Sequence, residues 1–435
     1  MTDITDADIQ IARDAVTRAH DAFQKMADVT DDRISAFFRG FADRLADDAV
    51  WKSVADANAL DVERAKEAGR SITRLVATEP MRGAMIEGLL GWEKAPSRRD
   101  EVIERREGPD WSVERRRAPL GVIAFVFEGR PNVLADGAGV VRGGNTSVMR
   151  IGSDALRTAE AIEANALAPA LHASGVPEGA VTLVRSSSHG AAQALFTMPL
   201  VRLAVARGSG ETTRLLGSIA AQHGIPASLH GTGGAWMYLA DDAPRDKARS
   251  AIVHSIDRKV CNTLSTIVIG ARAAHELVPL ALDALASRNA RVHVANGSQH
   301  EIPADRLTQV DVIPLDDLKL EWEWENEPEV ALVLARDDDD AVALINTYSP
   351  RFVASIITAD PQRFERFYAR VDAPYVSDGF TRWVDGQWAW DRPELGLSNW
   401  ERGRILGRSG ILSGDDVFTV RDVFRDTTGR AGQSR

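Results

Sequence analysis

A chain of 435 residues, 44% hydrophobic and 26% charged, has the composition of a folded protein of two or three domains, which excludes a disordered or fibrous one. With 52 Lys and Arg against 63 Asp and Glu, the net charge is −11, which argues against a general binder of nucleic acid or anionic membrane. The one cysteine, Cys261, excludes an internal disulfide, a CxxC metal site and a redox dithiol; a buried thiol, a redox-exposed thiol and a nucleophile remain.

The acidic N-terminus lacks the basic-then-apolar layout of a signal peptide, and the longest apolar stretch, 120–127, is far below the roughly 20 residues of a membrane helix. A soluble, cytoplasmic protein is expected. Residues 3–95 read as helices, with Ile9, Ala12, Val16 and Ala19, then Ile34, Phe37, Phe38, Phe41 and Leu45, at helical spacing. Residues 105–117 are charged and too irregular for a core element. From Leu120 the texture changes. Strands are expected at 122–127, 146–150, 181–184 and 200–205, and helices at 133–141, 155–170 and 211–222. A second run begins near Trp236, with strands at 236–239, 266–269, 330–334 and 353–358 and helices at 245–255, 275–285 and 341–347. Such alternation predicts an α/β protein of βαβ units with mostly parallel sheets. The run Asp337–Asp340 falls at a helix N-terminus, where acidic side chains favour the macrodipole. After Tyr375 the chain is rich in Gly and Trp and weakly periodic.

No P-loop, HExxH or GxSxG occurs, Arg142 stands where a dinucleotide fingerprint opened by Gly137-Ala138-Gly139 needs its third glycine, and the nine histidines show no metal spacing. Three segments carry stronger chemistry. Arg150-Ile151-Gly152-Ser153-Asp154 closes a strand–helix–strand unit, where a guanidinium, a glycine and a hydroxyl suit a ribose phosphate. Arg207-Gly208-Ser209-Gly210-Glu211 precedes a helix and reads equally as an anion site or as a capping segment. Cys261-Asn262-Thr263 joins a helix to a strand, and the flanking Arg258 and Lys259 would favour a thiolate.

In order along the chain, Pro119-Leu120-Gly121-Val122-Ile123, Glu128-Gly129-Arg130-Pro131-Asn132, Gly144-Asn145, Arg150-Ile151-Gly152-Ser153, Arg207-Gly208, Ile225-Pro226, His230-Gly231 and Val260-Cys261-Asn262-Thr263 resemble the γ-glutamyl phosphate reductase (glutamate-5-semialdehyde dehydrogenase) family of the aldehyde dehydrogenase superfamily. Ile345-Asn346-Thr347-Tyr348, Thr381-Arg382, Asp385-Gly386, Glu394-Leu395-Gly396-Leu397-Ser398 and Gly407-Arg408 continue the resemblance, which covers about residues 5–420. It implies an aldehyde dehydrogenase-like fold, with a Rossmann-like NADP-binding domain (1–104, 118–234 and 360–400), an α/β catalytic domain holding Cys261 (235–359) and a small oligomerisation sheet drawn from segments 105–117 and 401–435. It implies NADPH held by Arg150, Gly152, Ser153, Asp154, Arg207, Gly208 and Ser209, Cys261 as nucleophile and Asn132 or the backbone N–H of Cys261 as an oxyanion donor. It also implies Asn262, Phe352 and Arg382 near the substrate, a homo-oligomer, and an amino-acid kinase supplying the acyl phosphate for proline biosynthesis. No metal, nucleic acid or membrane is implied.

The substrate side departs from that pattern. Ile256-Asp257-Arg258-Lys259 replaces a Gln-Arg-Pro-like run, and Ser265 stands for a Glu. Ser349-Pro350-Arg351-Phe352-Val353-Ala354 replaces Gly-Ser-Gly-His-Ser-Asp, so the histidine and aspartate are Phe352 and Ala354. Ser377-Asp378-Gly379-Phe380-Thr381-Arg382 replaces Asn-Ala-Ser-Thr-Arg, and Trp383, Trp388, Trp390 and Trp400 follow. Two other readings therefore stand beside the reductase: oxidation of another aldehyde, and a non-catalytic paralogue that binds a partner.

Overall fold

The computed structural model describes residues 4–231, 233–384 and 414–429. The chain divides into two units, one built from residues up to Leu229 together with the C-terminal segment, the other from His230 onward.

The first unit opens with α1 (Asp6–Lys25), α2 (Asp31–Ala46), α3 (Asp48–Glu67) and α4 (Glu79–Lys94), whose N-caps Thr5, Thr30, Asp47 and Thr78 each accept a backbone N–H. After β1 (Val102–Glu107) and β2 (Trp111–Pro119) come β3 (Val122–Phe127), α5 (Val133–Ala138) and β4 (Thr146–Ile151). Next are α6 (Leu156–Ile162), α7 (Ala168–Ser174), β5 (Val181–Leu183), α8 (His189–Leu195), β6 (Val201–Arg207), α9 (Gly210–Gln222) and β7 (Ala227–His230). Strands β5-β4-β3-β6-β7 form one sheet in that order. Every residue of β3 is buried, as the unbroken apolar run requires of a strand covered on both faces. Ile123, Phe125 and Phe127 join the α2–α4 side, including Phe37, Phe38 and Phe41, while Val122, Ala124 and Val126 face α1, α8 and α9.

The expected helix over 155–170 is two helices joined by a π-turn at Glu163–Leu167. Pro169, in the first turn of α7, has no N–H to continue the ladder, which accounts for the interruption.

The second unit holds β8 (Ala235–Leu239), α10 (Arg245–Ser255), β9 (Leu264–Gly270), α11 (Ala274–Ala286), β10 (Arg291–Ala295), β11 (Val310–Ile313), β12 (Glu329–Ala335), α12 (Asp338–Tyr348), β13 (Val353–Ile357), α13 (Pro361–Tyr368) and β14 (Tyr375–Ser377). Its seven strands, ordered β11-β10-β12-β9-β8-β13-β14, pair in parallel throughout. Met237 and Leu239 face α10 and α11, and Trp236 and Tyr238 face α12 and α13. Residues 360–384, expected with the cofactor domain, cluster with this unit because β14 pairs with β13.

Asp337 caps α12 through the Asp340 N–H; Asp338, Asp339 and Asp340 pair with Arg363, Arg370 and Arg336, so the acidic run is a helix start locked by arginines.

The charged segment 105–117, expected to contribute to a small sheet with the C-terminal segment, is built of antiparallel strands. β1 and β2 pair antiparallel, and β15 (Phe418–Asp426) pairs with β2 to complete a three-stranded sheet. Its alternation is one of opposite charges, Arg105 with Glu114 and Arg115 with Asp422, instead of apolar and polar. Among the described residues no helix is long and apolar enough to cross a membrane. Trp388, Trp390, Trp400 and the motifs at 385–408 lie outside the described residues.

Candidate active site

In the first unit the chain runs from β3 to β4 and β5 on one side and to β6 and β7 on the other. Open α/β sheets bind ligands outside the carboxyl ends of their strands at such a switch point. The loops after β3, β4 and β6 there surround a cavity of about 650 Å³. All seven residues predicted to hold a cofactor line it: Arg150, Gly152, Ser153, Asp154, Arg207, Gly208 and Ser209. Arg70, His189 and Gln193 line it too and were not foreseen.

Arg150, on β4, is 4% exposed. Its Nη2 donates to the carbonyls of Ser187 (2.9 Å) and Ser188 (3.3 Å), and its Nε has no hydrogen-bond partner among the described residues. Burial lowers its pKa, and among the described residues no carboxylate balances it. The backbone beyond it is crowded: a Cβ on Gly152 would stand 2.5 Å from the Gly129 nitrogen, so the loops after β3 and β4 touch only because glycine is there. Asp154 pairs with Arg70, and the Ser153 carbonyl accepts from Arg64.

Arg207, at the end of β6, is nearly buried, with its guanidinium 5.0 Å over the Phe127 ring, its Nε 3.6 Å from Glu128 and its Nη1 3.9 Å from Asp136. Ser209 is the N-cap of α9, its Oγ accepting from the Thr212 N–H, and the Cα of Gly208 faces open space. Asn132 begins α5 and donates through Nδ2 to Asp136 Oδ2 at 2.8 Å. Burial pushes the Asp136 carboxyl up to about 6 despite Arg207 and Arg130.

In the second unit, α10 ends at Ser255 and β9 begins at Leu264, so Cys261 sits on the turn entering β9. The turn holds itself: Thr263 Oγ1 donates to the Arg258 carbonyl (2.7 Å) and accepts from the Val260 N–H (2.9 Å). Gly234 N–H, ahead of β8, donates to the Cys261 carbonyl at 2.7 Å. Cys261 is partly exposed while Asn262 is 1% exposed.

Asn262 Oδ1 accepts from Arg382 Nε (2.8 Å) and its carbonyl accepts from Thr381 Oγ1 (2.7 Å), while Arg382 also pairs with Asp257. Asn262 and Arg382, expected beside the substrate, are brought together and anchor the turn. Phe352, likewise expected there, is 2% exposed and packs edge-on against Tyr375, ring centroids 5.5 Å apart.

Lys259, expected to favour the thiolate, is itself ion-paired. Its Nζ lies 2.8 Å from Glu321 Oε1, and Glu321 Oε2 accepts the Gly233 N–H at 2.8 Å. Glu321, 62 positions and several elements away, carried no sequence signal. The chemistry assembled here is a phosphate-suited cavity in one unit and a partly exposed, backbone-anchored thiol in the other.

The aldehyde dehydrogenase family model matches residues 1–302. The γ-glutamyl phosphate reductase of Mesorhizobium japonicum is 30% identical, covering 93% of this chain and 93% of its own. That of Halothermothrix orenii is 27% identical, covering 94% and 95%. The crystal structure of γ-glutamyl phosphate reductase from Thermotoga maritima, 23% identical, covers 96% of this chain and 99% of its own with a TM-score of 0.86, the likeness of one fold.

Proposed function

This chain belongs to the aldehyde dehydrogenase family, among the γ-glutamyl phosphate reductases, and on that premise we propose that it reduces an amino-acyl phosphate, γ-glutamyl phosphate or a close relative, to the semialdehyde, as in proline biosynthesis. It is an oxidoreductase. The observation that carries the reading is the turn entering β9, which holds the sole cysteine partly exposed while its neighbour Asn262 is buried and bonded.

The Cys261 thiolate attacks the acyl carbon, the C–O bond to phosphate breaks, and a thioester remains on the protein. The tetrahedral oxyanion needs a donor, a role we assign to the backbone N–H of Cys261 or to the Asn132 amide, whose orientation Asp136 fixes. NADP(H) suits the first unit's cavity. The buried Arg150, with its unpartnered Nε and no balancing carboxylate among the described residues, fits a ribose phosphate, and Ser153, Gly208 and Ser209 would hold the remainder. When bound, the nicotinamide supplies the hydride that takes the thioester to the aldehyde and frees the thiol. Oxidation to an acid instead would need a carboxylate to activate water, and Glu321 is tied to Lys259 and Gly233. We assign oligomerisation to the β1-β2-β15 sheet and supply of the acyl phosphate to an amino-acid kinase.

The test is NADPH consumption in a mixture of glutamate, ATP, a glutamate kinase and this protein. Cysteine-dependent consumption, abolished in Cys261→Ala, supports the reading. No consumption with this or any other acyl phosphate, together with no NADPH binding, sinks it in favour of a paralogue that binds a partner.

A further inference from the structure

The Glu321 carboxylate touches both chain segments that flank the nucleophile. Oε1 takes Lys259, two residues before Cys261, at 2.8 Å, and Oε2 takes the N–H of Gly233, beside the Gly234 that bonds the Cys261 carbonyl. Gly233 lies between the two: a Cβ there would stand 2.8 Å from the Cys261 Cα and 2.9 Å from Glu321 Oε1. Lys259 is 7% exposed in its side chain, so its charge acts in a poorly solvated place unless it is balanced.

We infer that Glu321 is a positioning residue for Cys261, holding Gly233 and Gly234 against the nucleophile's turn and cancelling the Lys259 charge that would otherwise act on the thiol. The inference rests on Cys261 being the reactive thiol of the proposed reaction, although its measurement needs neither substrate nor cofactor. Other charges around the turn are Glu323, 3.9 Å from Lys259, and Asp257 paired with Arg382, with Arg258 beside them. Of these, Glu321 alone bonds Lys259 and the Gly233 backbone together.

A freed cation stabilises a thiolate and a freed carboxylate disfavours it. Glu321→Gln can still accept from Gly233 but leaves Lys259 only the longer contact to the exposed Glu323; Lys259→Met leaves Glu321 unbalanced. The pH dependence of Cys261 alkylation by iodoacetamide, on the full chain, reads both. The midpoint should fall by about one pH unit in Glu321→Gln, rise by a similar amount in Lys259→Met, and return near the wild-type value in the double variant. A purely structural buttress would slow alkylation or lower the melting temperature without opposite shifts. Midpoints that stay put, or move the same way in both single variants, overturn the inference. If Glu321→Gln does not fold, the upward shift in Lys259→Met decides alone. Should Cys261→Ala still turn over an acyl phosphate, the functional reading fails while the opposed shifts stand.

Discussion

The Nε of Arg382 donates to Oδ1 of Asn262 across 2.8 Å, joining residues 120 positions apart beneath the turn that carries Cys261. Arg382 is 5% exposed and also engages Asp257, so its guanidinium fork ties both sides of that turn. Removing one partner of a buried, charge-assisted pair strands the other. Arg382→Met should therefore cost about 1–3 kcal/mol in urea unfolding and slow Cys261 alkylation. Arg382→Lys should recover little, because an ammonium cannot reproduce the fork.

Arg150 makes the opposite prediction for stability. Its guanidinium is buried with no balancing carboxylate among the described residues, so Arg150→Met should leave the melting temperature unchanged or raise it. Binding should suffer: a charge-assisted contact to phosphate is worth about 1.5–3 kcal/mol, or roughly 10- to 100-fold in Kd. NADPH titrations should show that loss, while NADH, which lacks the ribose phosphate, should bind the variant about as well as the wild type.

Much of this was legible in the chain because its apolar runs are long and uninterrupted. β3 carries six consecutive apolar residues and matches the expected 122–127. The seven cofactor-site residues fall at the ends of β4 and β6 and on the short loops that follow them, and the switch in strand order brings both to one cavity. What escaped lies in pairings between distant segments. Glu321 beside Lys259 and Arg382 on Asn262 are products of tertiary packing that no local spacing encodes. The sheet of β1 and β2 was expected only through the family resemblance, because these strands alternate in charge rather than polarity, and β10 and β11 escaped because their flanks are charged and exposed.

Asp136 ties stability to pH. Its carboxyl is raised from 3.8 to about 6, so the folded protein binds that proton more tightly than the unfolded chain does. That contribution is full below pH 4, is lost as pH rises through 6, and leaves the buried carboxylate destabilising above it. Asp136→Asn, which can still accept from Asn132, should be more stable than wild type at pH 8 by roughly 2 kcal/mol and indistinguishable from it at pH 3.5. Unfolding midpoints at the two pH values check this.

Gly233→Ala should disturb Cys261 directly. The added methyl would meet the Cys261 Cα and carbonyl at 2.8 Å, too close to accommodate without moving the turn. A stability loss of about 1–3 kcal/mol and a marked fall in alkylation rate at constant pH are expected. Gly208→Ala, where no heavy atom stands within 4 Å, serves as the control and should alkylate as the wild type does.

The central claim is that Cys261 carries the acyl group, and intact-mass spectrometry tests it most directly. With γ-glutamyl phosphate generated in place by a glutamate kinase and NADPH withheld, the account predicts a wild-type mass increase of one glutamyl group, mapped to Cys261, absent in Cys261→Ser, and discharged on adding NADPH. An unmodified Cys261 in a preparation that nonetheless consumes NADPH with the same substrate would contradict it.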